Sequence, residues 1–552
     1  MQELNLNGIW EFGFFEKKYL EDIPAAAGEL SGQMSVPGCF DALPDHYCKR
    51  GCAVYRRTFR LEQDQTAVWL RIEGMGLRCR AFLDGRETGF SALPYSTLEF
   101  AAGPLGAGLH TLEIQVDNNF DPQKMKLFLP YYDFYAFGGL YHGVSLRFSS
   151  VENALDRVLV RTEDYRSGKL SLEFVFKKET PAEKTVSLSI NEEHPQTYII
   201  RNGKLTLERP DLALWSPESP ALHHLRAECD GCVQEETFGI REIRTDGTRI
   251  LLNGQPVYLK GFNRHESHPG CGAATGLQEM LEDLQHLRSL NANFIRGCHY
   301  PQTREFLDLC DRMGILVWEE SLGWGNLPEQ MNDPEFIALQ KEQTRLMVRN
   351  SFNHPCVIIF AFLNENYSGT DAGVALCLEL ADTIRAENSG RPVTFACSHN
   401  AVDRACEFMD IVSFNTYPGW ISEHSELDPM EEIRPDLKKI LKRFRSLYGN
   451  DKPIIVSEMG CCGLYGQHDP AGAQWSEEFQ AEYLRNVIDA VFESPDITGL
   501  TLWQFNDAKS YHRNGSVIRV KPLAQNLAGV FDIYRRPKLA AAAVAEKFAK
   551  KR

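Results

Sequence analysis

Apolar residues occupy both parities of the run 357–363, which stops abruptly at Asn364-Glu365. That pattern predicts a strand covered on both faces, as in a parallel sheet, with a polar tip at its C-terminal end. A second run of the same design, 453–458, ends in Glu458. From about residue 243 onward such runs alternate with amphipathic stretches, and eight strands are predicted at 257–262, 293–297, 315–319, 357–363, 393–397, 411–415, 454–458 and 499–504. Between them, apolar residues recur three or four apart, as in Leu277, Met280, Leu281, Leu284, Leu287 and Leu290, or in Phe479, Tyr483, Leu484, Val487, Ile488 and Val491. Eightfold βα alternation predicts a TIM barrel over 243–552.

The first 242 residues follow a different rhythm. Short alternating runs such as 67–72 and 109–116 are separated by the turn residues Asp84-Gly85 and Asp117-Asn118-Asn119, which predicts an antiparallel β-sandwich or jelly roll over 1–150. Similar strands at 157–161 and 170–176 predict a smaller immunoglobulin-like sandwich over 151–242, and the proline-broken segment 214–220 reads as a crossing between its strands. The segment 131–141, rich in rings and glycine, is either a packed loop or a sugar-stacking surface.

Length agrees with three bodies, since 552 residues exceed what one core supports. A hydrophobic content of 43% and a charged content of 24% are those of a globular chain. The net charge of −16 repels phosphate backbones and anionic membranes, so neither nucleic acid nor a lipid surface is expected as partner. No basic segment followed by an apolar run opens the chain and no stretch of eighteen apolar residues occurs, so a cytoplasmic location is expected. Many of the fifteen cysteines lie inside apolar runs, as Cys298, Cys310, Cys356, Cys377 and Cys397 do, and read as reduced core thiols. No CxxC pair is matched by a second Cys or His pair, so neither a metal site nor a cofactor is expected.

Chemistry is placed by the strand ends. Asn263-Arg264-His265-Glu266, residues 296–299, Glu319-Glu320, Asn364-Glu365, Asn415, Tyr417, Glu458 and residues 503–506 all fall at C-terminal tips, the rim where a barrel carries its active site. Any one strand-end glutamate is ordinarily solvated or a helix-cap partner. Their convergence on one rim has no such explanation, and two carboxylates there make a glycosidase site.

These residues resemble glycoside hydrolase family 2, and within it the β-glucuronidase branch, over nearly the whole chain. Asn353-His354-Pro355 leading to Asn364-Glu365 resembles the acid/base signature, and residues 454–460 the nucleophile strand; Lys260-Gly261-Phe262-Asn263-Arg264-His265-Glu266, residues 413–420 and Trp475-Ser476-Glu477-Glu478-Phe479-Gln480 are similar to glucuronidases in particular. The resemblance implies a multidomain architecture of jelly roll, immunoglobulin-like sandwich and (β/α)8 barrel. It implies Glu365 as general acid/base, Glu458 as nucleophile and Asn364 as the amide that binds the sugar 2-hydroxyl. Asp133, His299, Asn415, Tyr417 and Trp503 match the sugar-binding shell, and relatives of this kind are commonly homo-oligomers, so a dimer or tetramer is expected.

One departure stands out. Glucuronidases grip the sugar carboxylate with an Asn-x-Lys pair; here Asn526 aligns, but Ala528 stands where the lysine belongs. The preceding loop is longer and carries Arg513, Arg519 and Lys521, of which Arg519 resembles an arginine near the same carboxylate. A retaining exo-β-glycosidase for β-linked hexuronides, galacturonides ahead of glucuronides, fits this pattern, with a small-molecule glycoside as partner. The alternatives are a β-glucuronidase with substituted carboxylate contacts, a neutral β-galactosidase in which Arg519 and Lys521 are solvated loop charges, and a non-catalytic carbohydrate-binding protein. The last is disfavoured because binding alone requires neither glutamate, and both are present.

Overall fold

Eight parallel strands close into a barrel, numbered here β1 Leu259–Arg264, β2 Phe294–Gly297, β3 Leu316–Trp324, β4 Val357–Asn364, β5 Val393–Cys397, β6 Val412–Asn415, β7 Ile454–Met459 and β8 Ile497–Leu502, with β1 paired to β8. The computed structural model describes residues 1–127, 134–421, 428–449, 451–511 and 521–550. Every residue of β4 is buried, as its two-sided apolar pattern requires. Only β5 keeps both expected bounds; most of the others shift by one or two residues, β3 runs on to Trp324, and the shifts in β1 and β8 have visible causes or consequences. Residue 257 is drawn off because its N–H bonds the Ile250 carbonyl at 3.0 Å, in line with the short strand Gln255–Pro256 that pairs with Arg249–Leu252, so β1 begins at Leu259. At the other end β8 stops at Leu502, which leaves Trp503 past the strand on the rim.

The helices lie where the 3.6-residue period put them. Leu277–Ser289 buries Met280, Leu284 and Leu287. Glu477–Glu493 is opened by Ser476, whose hydroxyl accepts from the Phe479 N–H and so satisfies one of the first turn's unpaired donors. Among the described residues no helix is long and apolar enough to cross a membrane. All fifteen cysteines are free thiols, with Cys48 exposed and Cys271 half-buried.

At the N-terminal end, a four-stranded and a six-stranded antiparallel sheet form the jelly roll, with Trp10, Tyr55 and Leu112 in the core it shares with the barrel. A seven-stranded antiparallel sheet follows, from Leu155–Asp164 to Cys232–Phe238; its first and last strands touch, folding it around its own core in the immunoglobulin-like manner.

Both sandwiches are fastened to the barrel, at opposite ends of its strands. Tyr135 N–H donates to the Lys509 carbonyl at 3.0 Å, Ala136 N–H to the Tyr511 hydroxyl at 2.7 Å, and Tyr95 stacks on Tyr300 with centroids 4.0 Å apart, all at the rim of the strand tips. At the base of β4, Asn353 accepts from Val160 N–H and donates to the Val158 carbonyl, both at 2.8 Å, while Arg241 donates to the Pro355 and Val357 carbonyls. His354 bonds Asp311 at 2.6 Å, and Asp311 also accepts the Cys356 N–H. Asn353-His354-Pro355 therefore works as an anchor. It lies at the far end of β4 from Glu365, and eight extended residues span about 26 Å.

Candidate active site

The tip of β4 departs from regular strand geometry. Leu363 and Glu365 have φ of 48° and 54°, in the left-handed region, on either side of Asn364. Such backbone costs on the order of 1–2 kcal/mol per non-glycine residue and persists only where the surroundings impose it. In a regular strand, consecutive side chains point to opposite faces. Here the turned backbone lets two neighbours reach one partner: Asn415 Nδ2 donates to Asn364 Oδ1 at 3.1 Å and to Glu365 Oε1 at 2.9 Å.

Asn415, at the end of β6, is also the register partner of Glu458 on β7, and its Oδ1 accepts from the Ser457 hydroxyl at 2.7 Å. Both oxygens of Glu458 are held. Oε1 accepts from Arg296 Nη1 at 2.7 Å and Oε2 from the Tyr417 hydroxyl at 2.6 Å. Burial raises the Glu458 pKa above the usual carboxylate range, and the Arg296 charge and the Tyr417 hydrogen bond oppose that rise.

Arg296, fully buried at the tip of β2, joins the whole rim. Its Nε and Nη2 clasp Glu320 bidentately, both at 3.0 Å; Nη1 also donates to Asn263 Oδ1, and Nη2 to Asn364 Oδ1, each at 2.9 Å. Glu320 is fixed further by Trp318 Nε1 at 3.0 Å and by His299 Nδ1 at 2.8 Å. Burial raises the Glu320 pKa and the Arg296 charge opposes it. Sequence reasoning placed Arg296, Glu320 and Asn263 on the rim but gave them no role. The available signal was a cation and an anion at adjacent strand tips, inside an otherwise apolar barrel.

His299 lies parallel to Trp503, centroids 5.5 Å apart at 14°, and Phe134 of the jelly roll sits 5.0 Å from His265 and 6.0 Å from His299. Trp503 packs in a small apolar cluster with Cys298, Cys462, Leu527 and Ala528, against which Tyr417 leans. Glu365, Glu458, Asn364, Asn415 and Tyr417 thus form one hydrogen-bonded group, with His299 tied to it through Glu320 and Trp503 stacked on His299. Asp133 and Arg519 lie outside the described residues.

Around the missing lysine the chain closes on itself. Asn526 is buried and its side-chain oxygen accepts the Ala528 N–H at 3.2 Å. Lys538 reaches the Leu527 carbonyl at 3.0 Å, but its ammonium is engaged by Asp507 at 2.7 Å and the Gly463 carbonyl at 2.6 Å, so it supplies no charge in place of residue 528. Asp507 is pushed up to about 7 by burial, against the Lys538 charge. Burial above all, then the charges of His299, Arg296 and Arg264 and last that of Lys521, hold the His265 pKa well below the ordinary imidazole range.

Residues 243–551 match the TIM barrel domain model of glycosyl hydrolases family 2, and residues 149–241 match a second model of that family. The chain belongs to glycosyl hydrolase family 2. A β-glucuronidase from Chlorocebus aethiops is 28% identical over 98% of this chain and 90% of its own length. The mouse enzyme, also a β-glucuronidase, is 31% identical over 56% of this chain, an alignment that spans only 47% of that relative. Among solved structures, a family 2 β-galacturonidase from Eisenbergiella tayi bound to galacturonate superposes with a TM-score of 0.88 at 29% identity, covering 100% of this chain and 98% of that one. This family 2 chain is accordingly a glycoside hydrolase, similar to the β-glucuronidase and β-galacturonidase branch.

Proposed function

We propose that the chain is a retaining exo-β-glycosidase of β-linked hexuronides, with galacturonides ahead of glucuronides. The observation that carries the reading is a pair of rim carboxylates, Glu458 and Glu365, joined through Arg296, Asn364 and Asn415. Glu458 has a guanidinium on one oxygen and a phenol on the other, which orients it and favours its anion, as a nucleophile needs. Glu365 accepts the Asn415 amide N–H on Oε1 at 2.9 Å, which orients it within the same network for the exchange of a proton with the leaving oxygen and with water.

In the first step Glu458 attacks the anomeric carbon as its bond to the leaving oxygen breaks, and Glu365 delivers its proton to that oxygen. In the second, Glu365 takes a proton from water, the water oxygen bonds the anomeric carbon, and the Glu458 carboxylate leaves. Arg296 carries the nucleophile's charge at both ends of the cycle. Two carboxyl groups roughly 5 Å apart give this two-step course, whereas an inverting pair leaves room for water between them. Asn364 and Asn415 suit the sugar hydroxyls, Tyr417 the glycosyl-enzyme, and Trp503 with His299 a flat wall for the ring; Asp133 is proposed to complete the pocket from the jelly roll. Hydrolysis followed by NMR gives the β-anomer of the free sugar first; α-anomer appearing first excludes retention.

The demand for an acid rests on Lys521, Arg519 and Asn526, and on likeness to an enzyme whose solved complex holds galacturonate. With Ala528 apolar and packed, a carboxylate must be met by a different cation than the usual lysine. An arginine does this as a bidentate fork. We also propose domain boundaries near residues 150 and 242, and a dimer or tetramer, which light scattering will read.

The Tyr417 contact gives a pH test. Because the nucleophile must be ionised, kcat/KM falls as pH drops through the Glu458 pKa, which burial sets above the ordinary range. Tyr417→Phe removes a hydrogen bond that lowers this pKa, so the acid limb moves to higher pH. An unmoved limb would mean that Glu458 does not set it.

A further inference from the structure

The tips of β1 and β2 bring together three soft or borderline donors that sequence spacing does not reveal, because they come from neighbouring strands and not from a paired motif. One donor atom each from His265, Cys298 and His299 lies within 4.8 Å of the others, and all three residues are buried. We propose that these three residues form a site for a thiophilic divalent cation such as Zn²⁺, and that filling it blocks the sugar pocket. The block rests on the assignment of His299 and Trp503 to that pocket; the binding does not.

One of the three donor pairs already stands near the separation the ion needs. Zinc bonded to nitrogen at about 2.0 Å and to sulfur at about 2.3 Å, in tetrahedral geometry, sets the two donors about 3.6 Å apart. His265 Nε2 and Cys298 Sγ stand 3.9 Å apart, so a shift of a few tenths of an ångström closes the pair. His265 is in want of a partner. The residue is 4% exposed, its Nδ1 has no hydrogen-bond partner among the described residues, and on Nε2 it has only the Cys298 thiol. Its ring is held by Phe134, His299, Tyr300 and Trp503 through packing, which permits a small adjustment.

His299 supplies the second imidazole with its support in place. Glu320 holds its Nδ1 at 2.8 Å, and a carboxylate behind a ligating histidine fixes the ring and raises its basicity. The positive charge of Arg296 beside it is already paired with Glu320 and Glu458. Three protein donors leave the fourth position open to water or a hydroxyl of the sugar. Coordination converts the Cys298 thiol to a thiolate, so one proton passes to solvent as the metal–sulfur bond forms. His299, turned to a metal, no longer lies along Trp503 as a wall for the ring.

The test uses the full chain with Cys48→Ser and Cys271→Ser, which removes the two thiols that are not buried. Titration with Co²⁺ is expected to give one equivalent per chain with a sulfur-to-cobalt charge-transfer band, displaced by Zn²⁺. Calorimetry of Zn²⁺ in buffers of different ionisation enthalpy should read one proton released. On a nitrophenyl hexuronide, Zn²⁺ inhibits competitively and a chelator restores activity. Cys298→Ser loses the band and raises the inhibitory Zn²⁺ concentration at least tenfold, and His265→Asn does the same by an independent substitution should the first fail to fold. Absence of the band in the parent, or its survival with undiminished Zn²⁺ sensitivity in either variant, overturns the site. A band without competitive inhibition overturns only the block.

Discussion

Glu458→Gln lowers turnover of every β-glycoside by more than about 10⁴-fold, beyond what general acid–base catalysis alone supplies. The amide neither attacks the anomeric carbon nor pairs with Arg296 as an anion, so both the covalent step and the charge balance of the rim are lost. Glu365→Gln behaves differently. A nitrophenolate leaves with little need of a proton, so the first step survives on activated substrates and the second, which needs a base, becomes limiting. Alkyl glycosides lose activity by about 10²–10⁴-fold. A burst of nitrophenol followed by slow turnover is the expected signature, and azide, which needs no base, restores the second step. Equal losses on aryl and alkyl substrates would contradict the assigned roles.

Arg296→Ala is the substitution with the largest expected effect on stability. Removing one partner from a buried ion pair typically costs about 3–5 kcal/mol, because the carboxylates left behind are uncompensated. Here the guanidinium serves Glu458, Glu320, Asn263 and Asn364 together, and no water-accessible route relieves them, since Arg296 and Glu320 are fully buried. Denaturant unfolding should show the loss, and kcat/KM should fall with it. Arg296→Lys keeps the charge but not the fork, so it recovers stability in part and activity hardly at all. A protein with Ala at 296 that unfolds within about 1 kcal/mol of the parent would show that the rim network is not what holds the carboxylates, given the usual size of such deletions.

The barrel was legible because β4 and β7 carry apolar residues on both faces and end in carboxylates, a pattern that few other environments impose. Asn353-His354-Pro355 was legible as a motif but not as an anchor, since its partners Val158, Val160 and Asp311 are distant in sequence and meet it only when the bodies assemble. Arg296 was seen at a strand tip, yet its four hydrogen-bond partners Asn263, Glu320, Asn364 and Glu458 sit on β1, β3, β4 and β7, and no local pattern announces a hub of that kind. The positive φ at Leu363 and Glu365 was hidden for the same reason: neither residue type favours it, and the Asn415 contacts that reward it come from β6. Strand bounds near Trp503 were misjudged because an apolar ring on the rim continues the pattern of an apolar strand.

The most direct measurement is kcat/KM on four nitrophenyl substrates, the β-galacturonide, β-glucuronide, β-galactoside and β-glucoside, with Arg519→Ala alongside. A charge-assisted contact to the sugar acid is worth about 1.5–3 kcal/mol, or roughly ten- to a hundred-fold, so each uronide should exceed its neutral counterpart by that factor. The galacturonide should lead, and Arg519→Ala should lower the acid-to-neutral ratio. Glucuronide ahead of galacturonide would overturn the preference at C4 alone; a galactoside processed as well as either uronide would contradict the hexuronide reading itself.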